Sequence, residues 1–154
     1  PMSAPAELVV EAEGWRAIAD LETTCLRALH AAAAGLDAAR EGEAVILFAD
    51  DRMLQELNRR FRDRDRPTNV LAFPAPETEG YPGDVAIALE TCLAEAEAKG
   101  VAPAAHAAHL SVHGYLHLHG YDHVEEEEAA AMEALETAIL TGIGLHDPYA
   151  APER

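Results

Sequence analysis

Six of the eight histidines fall between His106 and His123, and three of them, His113, His117 and His123, form an H-x-x-x-H-x-x-x-x-x-H pattern. On a helix, residues four apart sit about 40° apart around the axis, so His113 and His117 project from one face and can reach a common point. Gly120 permits the positive φ that ends a helix, which lets the chain turn back and deliver His123 to that point. Three neutral imidazoles suit Zn2+ and leave a fourth position open for water, the arrangement of a catalytic site rather than a closed structural one. One zinc per chain is therefore expected. His109 lies one turn before His113 on the same strip, either as a support or substrate contact or as a packed helix-face histidine. His119 lies about 200° from His117 and points away. Asp122 either orients a ligand histidine through its second ring nitrogen or caps the turn.

The same spacing occurs in the long zinc-protease signature H-E-x-x-H-x-x-G-x-x-H, but Gly114 stands where that motif carries its glutamate. That carboxylate is the general base of the proteases, and its absence argues against ordinary peptide-bond hydrolysis. Peptide hydrolysis also needs a cleft with an edge strand that presents the peptide.

A second cluster is cationic. Arg52, Arg59, Arg60, Arg62, Arg64 and Arg66 are six of only 11 basic residues, against 28 acidic ones and a net charge of −17. So acidic a chain repels phosphates on average and is not a nonspecific coat for nucleic acid or anionic membranes. Any anion site belongs near these arginines. Any of these guanidiniums can hold a phosphate through a planar fork or sit in a surface ion pair, Arg62 with Asp63 or Asp65; for Arg59, Arg60, Arg64 and Arg66, which alternate with acids, the ion pair is the main expectation. The Glu125–Glu128 run is expected as a solvated helix start.

The elements that must position these groups follow from hydrophobic patterning. Strands are predicted at Glu7–Glu11, Ala44–Ala49, Asn69–Phe73 and Asp84–Leu89. Helices are predicted from Trp15 to about Ala34, after Asp50 to about Phe61 with Met53, Leu54, Leu57 and Phe61 inward, over Thr91–Lys99 and Pro103–His119, and from Val124 to about Thr141. Arg62–Pro67 reads as a charged turn. These elements predict an α+β fold: one domain over residues 7–149, a small mixed four-stranded sheet with about five helices, a zincin-like tris-histidine helix-turn, and flexible ends at 1–6 and 150–154. A core built from Leu, Val, Ile and 33 alanines suffices at 154 residues, and the isolated Cys25 and Cys92 suit packed, reduced thiols. No run is long enough to span a bilayer and no secretion signal opens the chain, so a cytoplasmic protein is expected.

The stretch His113-Gly114-Tyr115-Leu116-His117-Leu118-His119-Gly120-Tyr121-Asp122-His123 resembles the HGxLHLxGYDH signature of the YbeY family of bacterial metal-dependent endoribonucleases. Glu56 through Pro74 resembles that family's LNxxYRxxDxPTNVLSFP block, with Phe61 for the usual Tyr and Ala72 for the usual Ser. Gly83-Asp84 at a strand start and the tail Met132–Glu136 also match, so the resemblance covers about residues 7–149. It implies cleavage of single-stranded RNA, maturation of ribosomal RNA at the small-subunit 3′ end, ribosome quality control and ribosomal partners. It implies His113, His117 and His123 as zinc ligands and Arg62 as the phosphate-binding arginine, with His109, Asp122 and Asp84 as supports or substrate contacts. Two rivals stand beside it: a metallohydrolase of another substrate, and a ribosome-associated assembly factor whose metal is mainly structural.

Overall fold

The structure is a computed structural model describing residues 4–62, 68–122 and 125–150, with Arg62 described through its backbone only. Four strands, β1 (Ala6–Val10), β2 (Ala44–Ala49), β3 (Val70–Pro74) and β4 (Gly83–Ala88), form one sheet in the order β1-β2-β4-β3. β1, β2 and β4 run parallel, and β3 pairs antiparallel with β4 at the edge, Ala72 opposite Val85. Five helices accompany it: α1 (Leu21–Gly35), α2 (Asp51–Arg62), α3 (Leu89–Lys99), α4 (Pro103–Leu118) and α5 (Glu126–Gly142). The mixed four-stranded sheet and five helices are those predicted. The Ala44–Ala49 strand keeps its predicted bounds, and most other ends shift by one or two residues, as fraying termini do.

The two faces of the sheet bury different cores. One holds Ile46, Phe48, Val85 and Ile87 against α1, α4 and α5; the other holds Ala49, Leu54, Leu71, Ala86 and Ala88 beneath α2. Alanine content matters here, because Ala28 and Ala32 of α1 and Ala107 and Ala108 of α4 are fully buried and let helices approach closely. Both cysteines are buried, and burial pushes the Cys25 and Cys92 thiols up to about 12, so both stay protonated and unreactive.

Two expectations need correction. The single helix from Trp15 is in fact a short 3-10 helix, Glu13–Ala17, followed by α1 from Leu21, with Asp20 between them at a left-handed φ of 59°. Tertiary contacts override helix propensity there: Trp15 is fully buried, donates its indole N–H to the Ala49 carbonyl at 2.7 Å and packs its ring 4.8 Å from Phe48. On α2, Asp50 caps as predicted, accepting from the Met53 N–H at 2.8 Å. The inward face is nevertheless narrower than predicted: Leu54 is buried, but Met53 and Phe61 are 38% and 61% exposed. Met53 lies about 100° round the helix from Leu54, and Phe61 meets the sheet only at its edge, against Phe73 of β3. Buried Asn58 takes a place on that face instead. The predicted turn after Arg62 lies largely outside the described residues.

Candidate metal centre

α4 runs through the core, buried at almost every position from Ala104 to Leu118, and only its cleft-facing strip remains half-exposed at His113 and His117. The Nε2 atoms of these two histidines face each other at 3.1 Å. Two nitrogens held by one tetrahedral zinc at about 2.0–2.1 Å each would be roughly 3.3 Å apart, so the pair already has the spacing of a shared ligand set. α4 ends just beyond them in a Schellman turn: the Tyr121 N–H reaches the Leu116 carbonyl at 3.2 Å, the Gly120 N–H reaches that of His117 at 3.1 Å, and Gly120 takes a φ of 91°. The predicted chain reversal after His117 is thus present, while His123, the predicted third ligand, lies outside the described residues.

Behind His113 stands a group that the sequence matched to the family tail but to which it gave no role. Glu136 of α5 has no exposed surface and accepts the His113 Nδ1–H at 2.6 Å, which fixes the tautomer and leaves Nε2 as the lone pair turned to the cleft. Its other oxygen faces His109 Nε2 at 3.4 Å and the Tyr149 hydroxyl. Burial acts to raise the Glu136 carboxyl, but the hydrogen bonds from His109, His113 and Tyr149 outweigh it and hold the group down at about 2. Burial and Glu136 in turn push the Tyr149 hydroxyl up, keeping it a donor. The signal for Glu136 was weak: a lone glutamate, three residues from Glu133, on a helix already rich in acids.

The remaining candidates divide. His109 lies on the predicted strip but is 6% exposed and serves Glu136 rather than the cleft. Asp122 lines the cleft, exposed, just past the turn. Asp84 accepts the Tyr81 hydroxyl at 2.8 Å and is not among the cleft-lining residues. His119 points away as predicted: its Nδ1–H donates to the Tyr115 carbonyl at 2.9 Å, and its Nε2 accepts the Arg40 N–H at 3.0 Å. Arg62 ends α2, with its side chain outside the described residues, and Arg59 is paired with Glu56 at 2.6 Å as expected.

The cleft holds about 600 Å³ between the α4 strip and β3, where Asn69, Val70, Ala72 and Pro74 form the opposite wall. Since β3 is the edge strand, the cleft and edge strand that peptide hydrolysis needs are both present, and the feature that separates this site from a protease is Gly114. A Cβ on Gly114 would fall onto the Val85 side chain of β4, with Val85 Cγ2 at 2.9 Å and its Cβ at 3.3 Å. The sheet occupies the space where a glutamate base would stand.

The family model Endoribonuclease YbeY matches residues 10–144. The chain belongs to the YbeY endoribonuclease family. Proteins named endoribonuclease YbeY from Azorhizobium caulinodans and Rhodopseudomonas palustris are 48% and 47% identical to it, covering 95% and 96% of this chain and 96% and 82% of their own lengths. One from Paramagnetospirillum magneticum is 47% identical over 86% of this chain and 87% of its own. A solution structure from Thermotoga maritima shares the fold, with a TM-score of 0.55 at 21% identity over 94% of this chain and 100% of that one. No helix among the described residues is long and apolar enough to cross a membrane.

Proposed function

We propose that this YbeY-family chain is a zinc-dependent endoribonuclease that cleaves single-stranded RNA in the cytoplasm and acts in ribosomal RNA maturation at the small-subunit 3′ end and in ribosome quality control. The observation that carries the reading is the convergence of His113 Nε2 and His117 Nε2 at the cleft, with Glu136 fixing the ring of His113 from behind. His113, His117 and His123 would hold one zinc ion. When bound, the ion supplies a Lewis acid that polarises the scissile phosphate. Arg62, at the end of α2, provides a forked cation for the charge that grows on the phosphate oxygens. His109 is turned to Glu136, so proton acceptance from the nucleophile falls to a substrate phosphate oxygen rather than to this imidazole. The surface charge of −17 opposes capture of bulk RNA and favours delivery by a ribosomal partner.

The test is metal analysis of freshly purified protein coupled to cleavage of a single-stranded RNA oligomer. About one zinc per chain and cleavage abolished by a chelator, then restored by zinc, support the proposal. Metal-independent cleavage would overturn the zinc dependence, and full metal with no cleavage of RNA and intact binding to ribosomal particles would replace the proposal with the assembly-factor reading.

A further inference from the structure

We propose that Phe61, backed by Phe73 and flanked by Arg60, is a stacking platform for one nucleobase of a single-stranded RNA whose backbone lies in the cleft. The inference rests on the nuclease reading above and adds a base-binding subsite to it. Leu54, Leu57 and Phe61 belong to one stripe of α2, yet only the first two join the core beneath the helix. Phe61 is 61% exposed and makes an edge-on contact with Phe73 of the edge strand, ring centroids 5.8 Å apart and planes at 70°. Arg60 places its guanidinium carbon 5.5 Å from the centroid of the same ring.

A single exposed aromatic is ordinary on a protein surface. The placement of this one is not. Phe73, its support, sits on β3 between Ala72 and Pro74, which line the cleft opposite His113 and His117. The platform therefore stands across the edge strand from the candidate metal centre, and among the described residues no further strand lies outside β3. Charge selects the occupant. α2 carries Arg52, Arg59, Arg60 and Arg62 against Asp51 and Glu56, a local excess of positive charge in a molecule of net charge −17, which favours a polyanion here over the rest of the surface. A polyanion that also offers unstacked π-faces is single-stranded nucleic acid, which proteins grip through aromatic rings beside cations.

The experiment measures cleavage and binding of one single-stranded RNA oligomer, and of a series in which a single abasic nucleotide is stepped along it, by the zinc-loaded full chain and its Phe61→Ala and Phe61→Trp variants. Phe61→Ala is expected to raise KM about ten-fold or more with kcat changed less than about two-fold, the scale of losing one stacked base. Phe61→Trp should retain the wild-type KM. One abasic position should weaken the wild type by the same factor and leave Phe61→Ala unaffected, and 2-aminopurine at that position should be quenched on binding to wild type but not to Phe61→Ala. If Phe61→Ala cleaves every oligomer as wild type does, or is equally sensitive to the abasic lesion, the platform is refuted while the nuclease reading stands. Loss of ribosomal-protein binding without any change in oligomer KM would assign Phe61 to a protein contact instead. A wild-type chain that neither binds nor cleaves RNA overturns both readings.

Discussion

On the α4 side of the cleft, His113 is held from behind by a carboxylate with no exposed surface, itself held by His109 and Tyr149. On α2, beyond the opposite wall, Arg59 meets Glu56 in solvent, the two side chains 53% and 51% exposed, and Phe61 stands largely in water. The two regions are built for different demands. A metal ligand must keep its direction to within tenths of an ångström, which needs a buried, fully hydrogen-bonded support. A surface that attracts a polyanion needs only charge of the right sign, and screened, mobile cations supply it. Substitutions on the α4 side should therefore change metal binding and stability together, whereas those on α2 should change RNA handling alone.

The sharpest break is at His117. His117→Ala should lose most of the bound zinc, measured as metal per chain, while His119→Ala should retain it, because His119 is bonded to Tyr115 and Arg40 rather than turned to the cleft. Equal retention by both variants would remove His117 from the ligand set. On the α2 side, Arg62→Ala should leave zinc content and folding intact and lower RNA cleavage by about 10²-fold or more, the usual scale for one preorganised donor. Arg62→Lys should rescue it only partly, and Arg64→Ala should have a much smaller effect. Matching losses at Arg62 and Arg64 would mean a diffuse field rather than a clamp.

A third variant tests how far the support of His113 matters. Glu136→Gln keeps the shape of the side chain but removes the charge that His113, His109 and Tyr149 share. Zinc affinity, read by competition with a chelating dye, should fall about 10- to 100-fold. Unchanged affinity would reduce Glu136 to a packing element. Gly114→Ala then asks about packing alone: its Cβ meets Val85 at the centre of the sheet, and overpacking of this kind destabilises by about 1–3 kcal/mol in denaturant unfolding. Gly114→Glu should for the same reason yield a poorly folded chain rather than a protease.

Much of this was legible before the structure. The spacing of His113 and His117 and the breaking glycine at Gly120 are local facts of helix geometry, and they hold. The buried strand Ala44–Ala49 announces itself by an unbroken apolar run. What sequence could not show depends on contacts distant along the chain. Glu136 looks like one more acid among Glu126, Glu127, Glu128 and Glu133 until α5 packs against α4 and encloses it. Phe61 has the periodicity of a core residue, and only the structure shows that it packs at the sheet edge against Phe73 and stays exposed. Trp15 starts a helical pattern, but its bond to Ala49 holds it in a separate turn. Patterning reports which face is apolar; it does not report where the neighbouring element ends.

The smallest effect concerns a second polar cluster, further along α4. His106 is nearly fully buried, its Nε2 2.7 Å from Glu95 of α3, and Glu95 also accepts from the Asn69 side chain at 3.2 Å, so this carboxylate joins α3, α4 and the cleft wall. Burial pushes the His106 imidazole below its ordinary 6.5, against the hydrogen bond and charge of Glu95, with His109 and Lys99 adding to the lowering. A base whose pKa is depressed on folding favours the native state while neutral. Its stabilisation is thus complete above about 6.5, the unfolded value, and is lost as pH falls from there through the lower folded value. The melting temperature of the wild type should accordingly drop more steeply between pH 7 and pH 5, both about neutral to mildly acidic, than that of His106→Gln, which offers an amide to Glu95 but takes up no proton. His146, also depressed chiefly by burial, titrates in the same direction in both proteins, and His106 contributes to its lowering, so the difference between the two curves reports His106 together with that coupling. Parallel curves would show that Glu95 compensates the burial of the imidazolium, and that the polar network on this stretch of α4 tolerates a charge where the support of His113 already depends on one.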